Sequence, residues 1–375
     1  MDASPSALAK LLLPRTPFIL KTALWHTLSL SDTASTWDLR TELTVKIMRD
    51  MLGPNSKTNP IGKMQHLTTK DPGVKGKVWV SKVSFPIPPE DDLRQILFKA
   101  ISDLKDSNPD CKNTTYTEPP ARALEAEWHG YHPLAHPSDP EPPGLTEHQK
   151  YERLMDDTSS PTAPTLLYFH GGAMYLLDPA TYRAQTAKLC KETGGRAFTV
   201  RYRLAPKHPF PAALLDALTA YLTLLYPPEG SLHAPVPASQ IIFSGDSAGG
   251  TLCAALLQLI LQIHRTSPST TPSTPPSSQT QNPNPIPTVP WHSQRVPLPL
   301  PAALALTSPW LDITRSLPSI SHFAKYDYLP TPAQTRTMTF PHDDVWPVDP
   351  PRADLYCEGS ALCHPLVSPL AARDW

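Results

Sequence analysis

The sequence predicts an α/β fold: a doubly wound, mostly parallel sheet with helices on both faces. Three observations carry that reading. Short apolar runs suited to buried strands alternate at short intervals with helical runs. One such run, residues 241–244, leads directly into Gly245-Asp246-Ser247-Ala248-Gly249-Gly250 and then into a long apolar helical stretch from Thr251 to about Ile263. Another, residues 165–170, ends in His170-Gly171-Gly172-Ala173. Each of these two turns leaves a strand at a place where glycine lets the backbone approach a neighbour.

The remaining elements follow in order. Residues 16–51 read as helices. Phe18, Ile19, Trp25, Leu28 and Leu30 form one apolar set, and Leu39, Leu43, Ile47, Met48 and Leu52 recur at helical spacing before Gly53-Pro54-Asn55 stops the run. Packing on a core is the expected use of these helices; a lid over a site and an interfacial anchor are the alternatives. Residues 78–85 alternate and end at Pro86, as a strand does. Asp91 or Asp92 caps a helix running through Leu104. Residues 123–131 read as a second strand, with Glu125, Glu127 and His129 on one face. Alternating charge of this kind is expected on a half-solvated strand, so the three are assigned no role. Residues 196–203 form another strand, Pro211 starts a helix that reaches about Tyr226, and residues 302–306 form one more strand before Ser308-Pro309-Trp310-Leu311-Asp312. Beyond residue 324 the chain is proline-rich and irregular.

Composition narrows the function classes. The 375 residues carry a net charge of −1 and only 18% charged residues, which gives no electrostatic footprint for nucleic acid. Proline is in excess, 48 against 15 glycines. Eleven of the prolines lie in residues 266–301, whose first fifteen positions are Ser, Thr or Pro except Gln279; such composition cannot bury a core and reads as a disordered, tolerated surface insertion. The five cysteines (111, 190, 253, 357 and 363) form no disulfide framework and fit a reducing compartment. Lys10, Pro14, Arg15 and Pro17 break up the apolar start of the chain, which does not read as a signal peptide. No apolar run approaches the roughly 20 residues that span a bilayer, so a cytoplasmic or peripheral membrane protein is expected. Cys357, Cys363 and His364 match no zinc-binding spacing, and no metal is expected.

The two glycine-rich turns point to acyl transfer. A serine in G-x-S-x-G between a strand and a helix stands at the tip of a sharp turn, its hydroxyl exposed and the first helical amide beside it. Ser247 is therefore the candidate nucleophile. Acyl transfer also needs donors for the oxyanion of the tetrahedral intermediate. The amide of Ala248 is one, and the loop Gly171, Gly172 and Ala173 supplies the others, with Gly172 and Ala173 the best placed. His170 is expected to shape this loop through its side chain rather than act as base. Asp246 is expected to brace the turn, its side chain directed away from Ser247.

With these motifs in hand the sequence resembles the hormone-sensitive-lipase-like branch of the α/β-hydrolases, the family marked by HGG and GDSAGG. The matching blocks are residues 166–173 (LLYFHGGA), 202–216 (YRLAPKHPFPAALLD), 241–250 (IIFSGDSAGG), 308–312 (SPWLD) and 364–370 (HPLVSPL). Residues 127–131 and 325–330 are similar to fungal members. The resemblance implies an α/β-hydrolase fold and hydrolysis of a small-molecule or lipid carboxylic ester through a serine, an acid and a histidine, with neither metal nor cofactor. It also implies a helical cap or lid segment at residues 1–75 ahead of a core at residues 76–375.

Two departures modify that expectation. Ala173 stands where the family has a third glycine, and Met174 where it has an aromatic residue, with Tyr175 next to it. The family's acid and histidine lie beyond the block that resembles residues 364–370, and this chain ends at Trp375. The expectation is accordingly a truncated hydrolase: last strands and helices missing, an open sheet edge, acid and base absent, and activity impaired. Asp312, His322, His342 and His364 are assigned no catalytic role. The alternative reading is a non-catalytic small-molecule binding or scaffold protein of the same fold.

Overall fold

The computed structural model describes residues 9, 12–53, 59–89, 92–107, 109–160, 162–267, 286–349, 351–352 and 354–375. The chain divides into two compact units, residues 1–66 with 314–347 and residues 67–313 with 348–375. The expected division at residue 75 thus falls at 66, and a segment far along the chain joins the N-terminal helices.

In the first unit α1 (Thr16–Thr27) and α2 (Leu39–Leu52) are joined through one buried acid. Asp38 caps α2 by accepting from the Thr41 amide at 2.6 Å. Glu42, fully buried one turn later, takes His26 Nδ1 at 2.6 Å from α1, Lys46 Nζ at 2.6 Å from its own helix, and the Ser31 hydroxyl from the connection. Burial alone would raise its pKa; the three donors outweigh it and hold the carboxyl at about 2. Residues 314–347 are held to these helices by Arg49, whose guanidinium donates to the carbonyls of Ala324, Lys325 and Asp327, and by Trp37, which meets Tyr326 edge-on at 5.6 Å. A further helix, α3 (Ile61–Thr69), carries the chain across the division.

The second unit is built on a six-stranded sheet. Its strands are β1 (Val78–Phe85), β2 (Leu124–Tyr131), β3 (Thr165–Phe169), β4 (Arg196–Val200), β5 (Ile241–Asp246) and a last strand, Ala303–Thr307. Its helices are α4 (Asp92–Ser107), α5 (Glu147–Asp156), α6 (Pro179–Thr193), α7 (Ala212–Leu225) and α8 (Ala248–Thr266). A hairpin, β6 (Thr288–Trp291) and β7 (Gln294–Pro297), precedes that last strand, which is β8. The sheet order is β1-β2-β4-β3-β5-β8, antiparallel through β1, β2 and β4 and parallel from β4 to β8. Parallel strands covered on both faces must be apolar on both, which is why β3 (TLLYF) and β5 read as continuous rather than alternating runs. Leu167, Phe169, Phe198, Val200, Trp128 and Phe243 join the large core with α4, α5, α7 and α8; Leu166, Ala197 and Cys190 pack on the α6 side. Every residue of α7 is buried; the helix is mostly apolar, and its one charge, Asp216, is paired with Arg203. Among the described residues β8 is an edge strand, with Leu304 36% exposed, and no helix is long and apolar enough to cross a membrane.

Two expectations are corrected. Residues 288–297 are not disordered: β6 and β7 pair in register, and His292 and Ser293, both at positive φ (46° and 63°), make the two-residue turn that suits a twisted hairpin. Residues 268–285 of the expected insertion lie outside the described residues. The polar face of β2 is not half-solvated either. Glu125 is exposed, but Glu127 and His129 are fully buried because α6 brings Arg183 over them. Arg183 donates to both Glu127 oxygens, at 2.8 and 2.6 Å, and to both Asp71 oxygens, at 2.6 and 3.1 Å. His129 bridges Glu127 at 2.9 Å and Thr186 at 2.7 Å. Burial would raise the Glu127 carboxyl, but His129 and Arg183 hold it at about 2.

Removing one partner of such a network strands a buried charge. Arg183→Leu is expected to destabilise the protein by about 3–5 kcal/mol in urea unfolding, and adding Glu127→Gln should recover part of that loss. A loss below about 1 kcal/mol would contradict the dependence of the buried Glu127 charge on Arg183.

Candidate active site

β3 and β5 are neighbouring parallel strands, with Phe169 opposite Gly245, so the loops leaving their carboxyl ends start side by side. The first loop is His170-Gly171-Gly172-Ala173-Met174; the second is the turn at Ser247.

Ser247 caps α8 with φ 48° and ψ −119°, a conformation that costs a non-glycine residue of order 1–3 kcal/mol. Its backbone is over-determined. The Ser247 amide donates to the Thr307 carbonyl at 3.1 Å, and its carbonyl accepts from the Trp310 amide at 3.0 Å and the Thr251 amide at 3.1 Å. The end of β8 and the Ser308-Pro309-Trp310 block that follows it therefore clamp the turn together. Gly245 and Gly249 are required by proximity: a Cβ on Gly245 would lie 2.6 Å from the Phe169 carbonyl oxygen, and one on Gly249 would run into the same atom. The hydroxyl-bearing side chain sits on a half-buried residue, and among the described residues nothing hydrogen-bonds it.

Asp246 joins the two loops. Its Oδ1 accepts from the Gly171 amide at 3.0 Å and from the Tyr168 hydroxyl at 3.0 Å; its Oδ2 accepts from the Tyr182 hydroxyl at 2.9 Å. Tyr182 Oη also accepts from the Gly171 amide, at 3.1 Å. His170 holds the other side of the same loop. It is buried, stacks on Tyr202 at 4.4 Å, and its Nδ1 lies 2.7 Å from the Gly171 carbonyl, so Nδ1 carries the proton and donates. Burial lowers its pKa to about 4 against the pull of that carbonyl, so the ring is neutral at pH 7. Tyr202 Oη donates to the His170 carbonyl at 2.7 Å. The next residue, Arg203, is locked into Asp216, its amide 2.8 Å and its guanidinium 2.8 Å from the carboxylate, so the 202–216 block anchors the loop to α7.

The structure thus ties the loop of His170, Gly171, Gly172 and Ala173 to the turn of Asp246, Ser247 and Ala248 through the Gly171–Asp246 hydrogen bond. It separates their tasks. The Gly171 amide is committed to Asp246 and Tyr182 and faces the clasp, which corrects its inclusion with the free donors. Gly172 and Ala173 donate no amide hydrogen bond among the described residues; the loop closes instead on the Gly172 carbonyl, which accepts from Tyr175 and Leu176 at 3.0 and 2.8 Å. Ala248, first in α8, has no intrahelical acceptor for its amide. The loop turns through three consecutive positive φ values: Gly172 at 108°, Ala173 at 53° and Met174 at 67°. The expected third glycine is thus replaced by an alanine in a glycine conformation.

Of the histidines expected to be uninvolved, His364 lies in the second unit. His364 is buried, with Nε2 3.1 Å from the Ile101 carbonyl and Nδ1 accepting from the Leu366 amide at 3.1 Å. His322 and His342 belong to the segment 314–347 of the first unit. Among the described residues no three His, Cys, Asp or Glu side chains gather as a metal-binding set. Sequence reasoning missed Tyr168, Tyr182 and Tyr202 as the hydroxyls that hold the loops. Tyr168 and Tyr202 stand inside the matching blocks; Tyr182 carries no local signal, since only the packing of α6 brings it to Asp246.

Two outcomes follow. Ala173→Gly removes a left-handed alanine and should stabilise the protein by about 0.5–1 kcal/mol in urea unfolding; an unchanged or lowered stability contradicts the strain argument. His170, His233 and His364 are each lowered to about 4 by burial. Their folded pKa lies below the unfolded value, so the stability they contribute is present above about 6.5 and lost as pH falls towards 4. The urea midpoint should therefore fall between pH 7 and pH 5, and a flat profile over that range contradicts neutral buried rings.

Residues 166–375, more than half of the chain, match a protein-family model described as alpha/beta hydrolase fold. Among curated proteins, "Lipase 2" of Moraxella sp. (strain TA144) is 37% identical over 114 residues, covering 30% of this chain and 24% of that protein. "Acetyl-hydrolase" of Streptomyces hygroscopicus is 28% identical over 205 residues, covering 55% of this chain and 50% of that protein. The chain therefore spans half or less of the curated relatives it matches. Among solved structures, EstE5 soaked by ethyl alcohol aligns over 90% of this chain and 75% of its own with a TM-score of 0.51 at 21% identity, a likeness of fold. On the family match, and with the sheet order and the β5–α8 turn described above, the chain belongs to the alpha/beta hydrolase fold family.

Proposed function

We propose that this chain carries the nucleophile and oxyanion donors of a carboxylic-ester hydrolase of the hormone-sensitive-lipase-like branch. The observation that supports it best is Ser247, held at φ 48° on the β5–α8 turn while the adjoining Asp246 ties that turn to the Gly171 loop. Proteins named lipase, esterase and acetyl-hydrolase among the relatives support the same class.

In this reading Ser247 Oγ attacks the ester carbonyl carbon and loses its proton to a base. The carbonyl oxygen becomes an oxyanion and accepts hydrogen bonds from the amides of Gly172, Ala173 and Ala248, the last at the positive end of α8. Collapse expels the alcohol and leaves an acyl-serine, which water hydrolyses by the reverse sequence. Each donor supplies on the order of a hundredfold in rate. His170 and Asp246 hold the donors in place. Neutral His170, already donating to the Gly171 carbonyl, is a loop-former and not the base. Among the described residues no histidine or carboxylate reaches the Ser247 hydroxyl, so the acid and base are left unassigned and slow turnover is expected.

External imidazole can itself act as the base. The protein is expected to hydrolyse p-nitrophenyl butyrate slowly, and imidazole should accelerate the wild type well above Ser247→Ala measured in the same imidazole. Equal rates for the two proteins, with and without imidazole, would remove Ser247 as nucleophile.

A further inference from the structure

The first unit contains a cavity of about 460 Å³, within the range of small-molecule sites, and its lining combines aromatic and basic side chains. One wall is aromatic: Phe18 and Trp25, one face of α1, remain 37% and 45% exposed. The opposite wall carries Lys46, Arg49 and Asp50 of α2, and Lys21 stands between them on α1. Two of these charges are satisfied. Lys46 pairs with Glu42 at 2.6 Å, and Asp50 with Arg15 at 2.9 Å. Neither of the other two makes an ion pair among the described residues. Arg49 donates only to main-chain carbonyls, which orient the guanidinium without neutralising it, and Lys21 rests on the Trp25 ring at 4.9 Å. The cavity therefore holds an excess of about two positive charges beside exposed aromatic surface.

That pairing selects its occupant. A cation is repelled. An inorganic anion would leave Phe18 and Trp25 wet, and a neutral hydrocarbon would leave Lys21 and Arg49 without a counter-charge. We propose that this cavity is a binding site for a monoanionic amphiphile, a carboxylate carried on a medium-length apolar chain, with Lys21 and Arg49 taking the head group and Phe18 and Trp25 the tail. The site lies wholly within the first unit and stands independently of the Ser247 reading.

Decanoate, kept below its micelle concentration, is the probe, with decanol and decyltrimethylammonium as neutral and cationic controls of the same chain length. Calorimetric titration of the full chain should show decanoate binding at least about fivefold tighter than either control, because its charge-assisted contacts to Lys21 and Arg49 are at stake. Its affinity should fall as sodium chloride is raised. Lys21→Gln, an exposed substitution outside the Ser247 site, should weaken decanoate about five- to tenfold and leave decanol unchanged. Equal binding of the three amphiphiles, or no binding of decanoate, overturns the proposal without recourse to any variant. Unchanged decanoate affinity in Lys21→Gln overturns the assigned head-group site. Adsorption to phosphatidylserine vesicles without binding of monomeric decanoate would reassign the surface to a membrane and overturn the proposal as well.

Discussion

The Asp246 carboxylate is the contact on which the site depends. It accepts hydrogen bonds from the Gly171 amide, the Tyr168 hydroxyl and the Tyr182 hydroxyl, which come from the loop after β3, from β3 itself and from α6. An ionised carboxylate only accepts, and its hydrogen bonds are about twice as strong as neutral ones, so three donors converging on it fix three elements at one point. Gly171 is a glycine for the same reason: a Cβ there would collide with that carboxylate. The two sequence motifs are thus the two halves of one interaction. Asp246 belongs to the turn that presents Ser247, and Gly171 opens the loop that presents Gly172 and Ala173.

The helix that supplies Tyr182 is itself anchored by charge. Arg183, the next residue, reaches the other way into Glu127 and Asp71, and Asp178 caps the helix by accepting from the Ala180 amide while pairing with Arg201 at 2.7 Å. Buried ion pairs of this kind contribute little net stability against an apolar replacement, because desolvation costs offset their attraction. What they fix is geometry: α6 cannot rotate or slide without stranding Glu127. The Ser308-Pro309-Trp310 block does the equivalent for the nucleophile, holding a strained serine backbone through the Thr307 carbonyl and the Trp310 amide.

The sheet and the two loops were legible in the sequence because their signals are local. Strands buried on both faces are apolar runs, and each loop needs glycine where another backbone passes close by. What was not legible depends on partners distant in sequence. Glu127 and His129 looked solvated because Arg183, which buries them, stands 56 residues from Glu127. The Gly171 amide looked free because Asp246 lies 75 residues on. Residues 324–347 looked irregular because their order comes from Arg49 and Trp37 on another stretch of chain. The β6–β7 hairpin was hidden by proline-rich composition that begins well before it. The substitution at Ala173 was visible, but its left-handed backbone was not.

The central claim is that Asp246 holds the Gly171 loop in register with a reactive Ser247. It is tested most directly by reacting a fluorophosphonate with the wild type and with Asp246→Asn, mapping the modified peptide and comparing rates. The account predicts an adduct on Ser247 in the wild type, and in the variant a reaction at least roughly tenfold slower, because the phosphoryl oxygen must enter the same donors. An adduct elsewhere, no adduct on Ser247, or equal rates in the two proteins would contradict it.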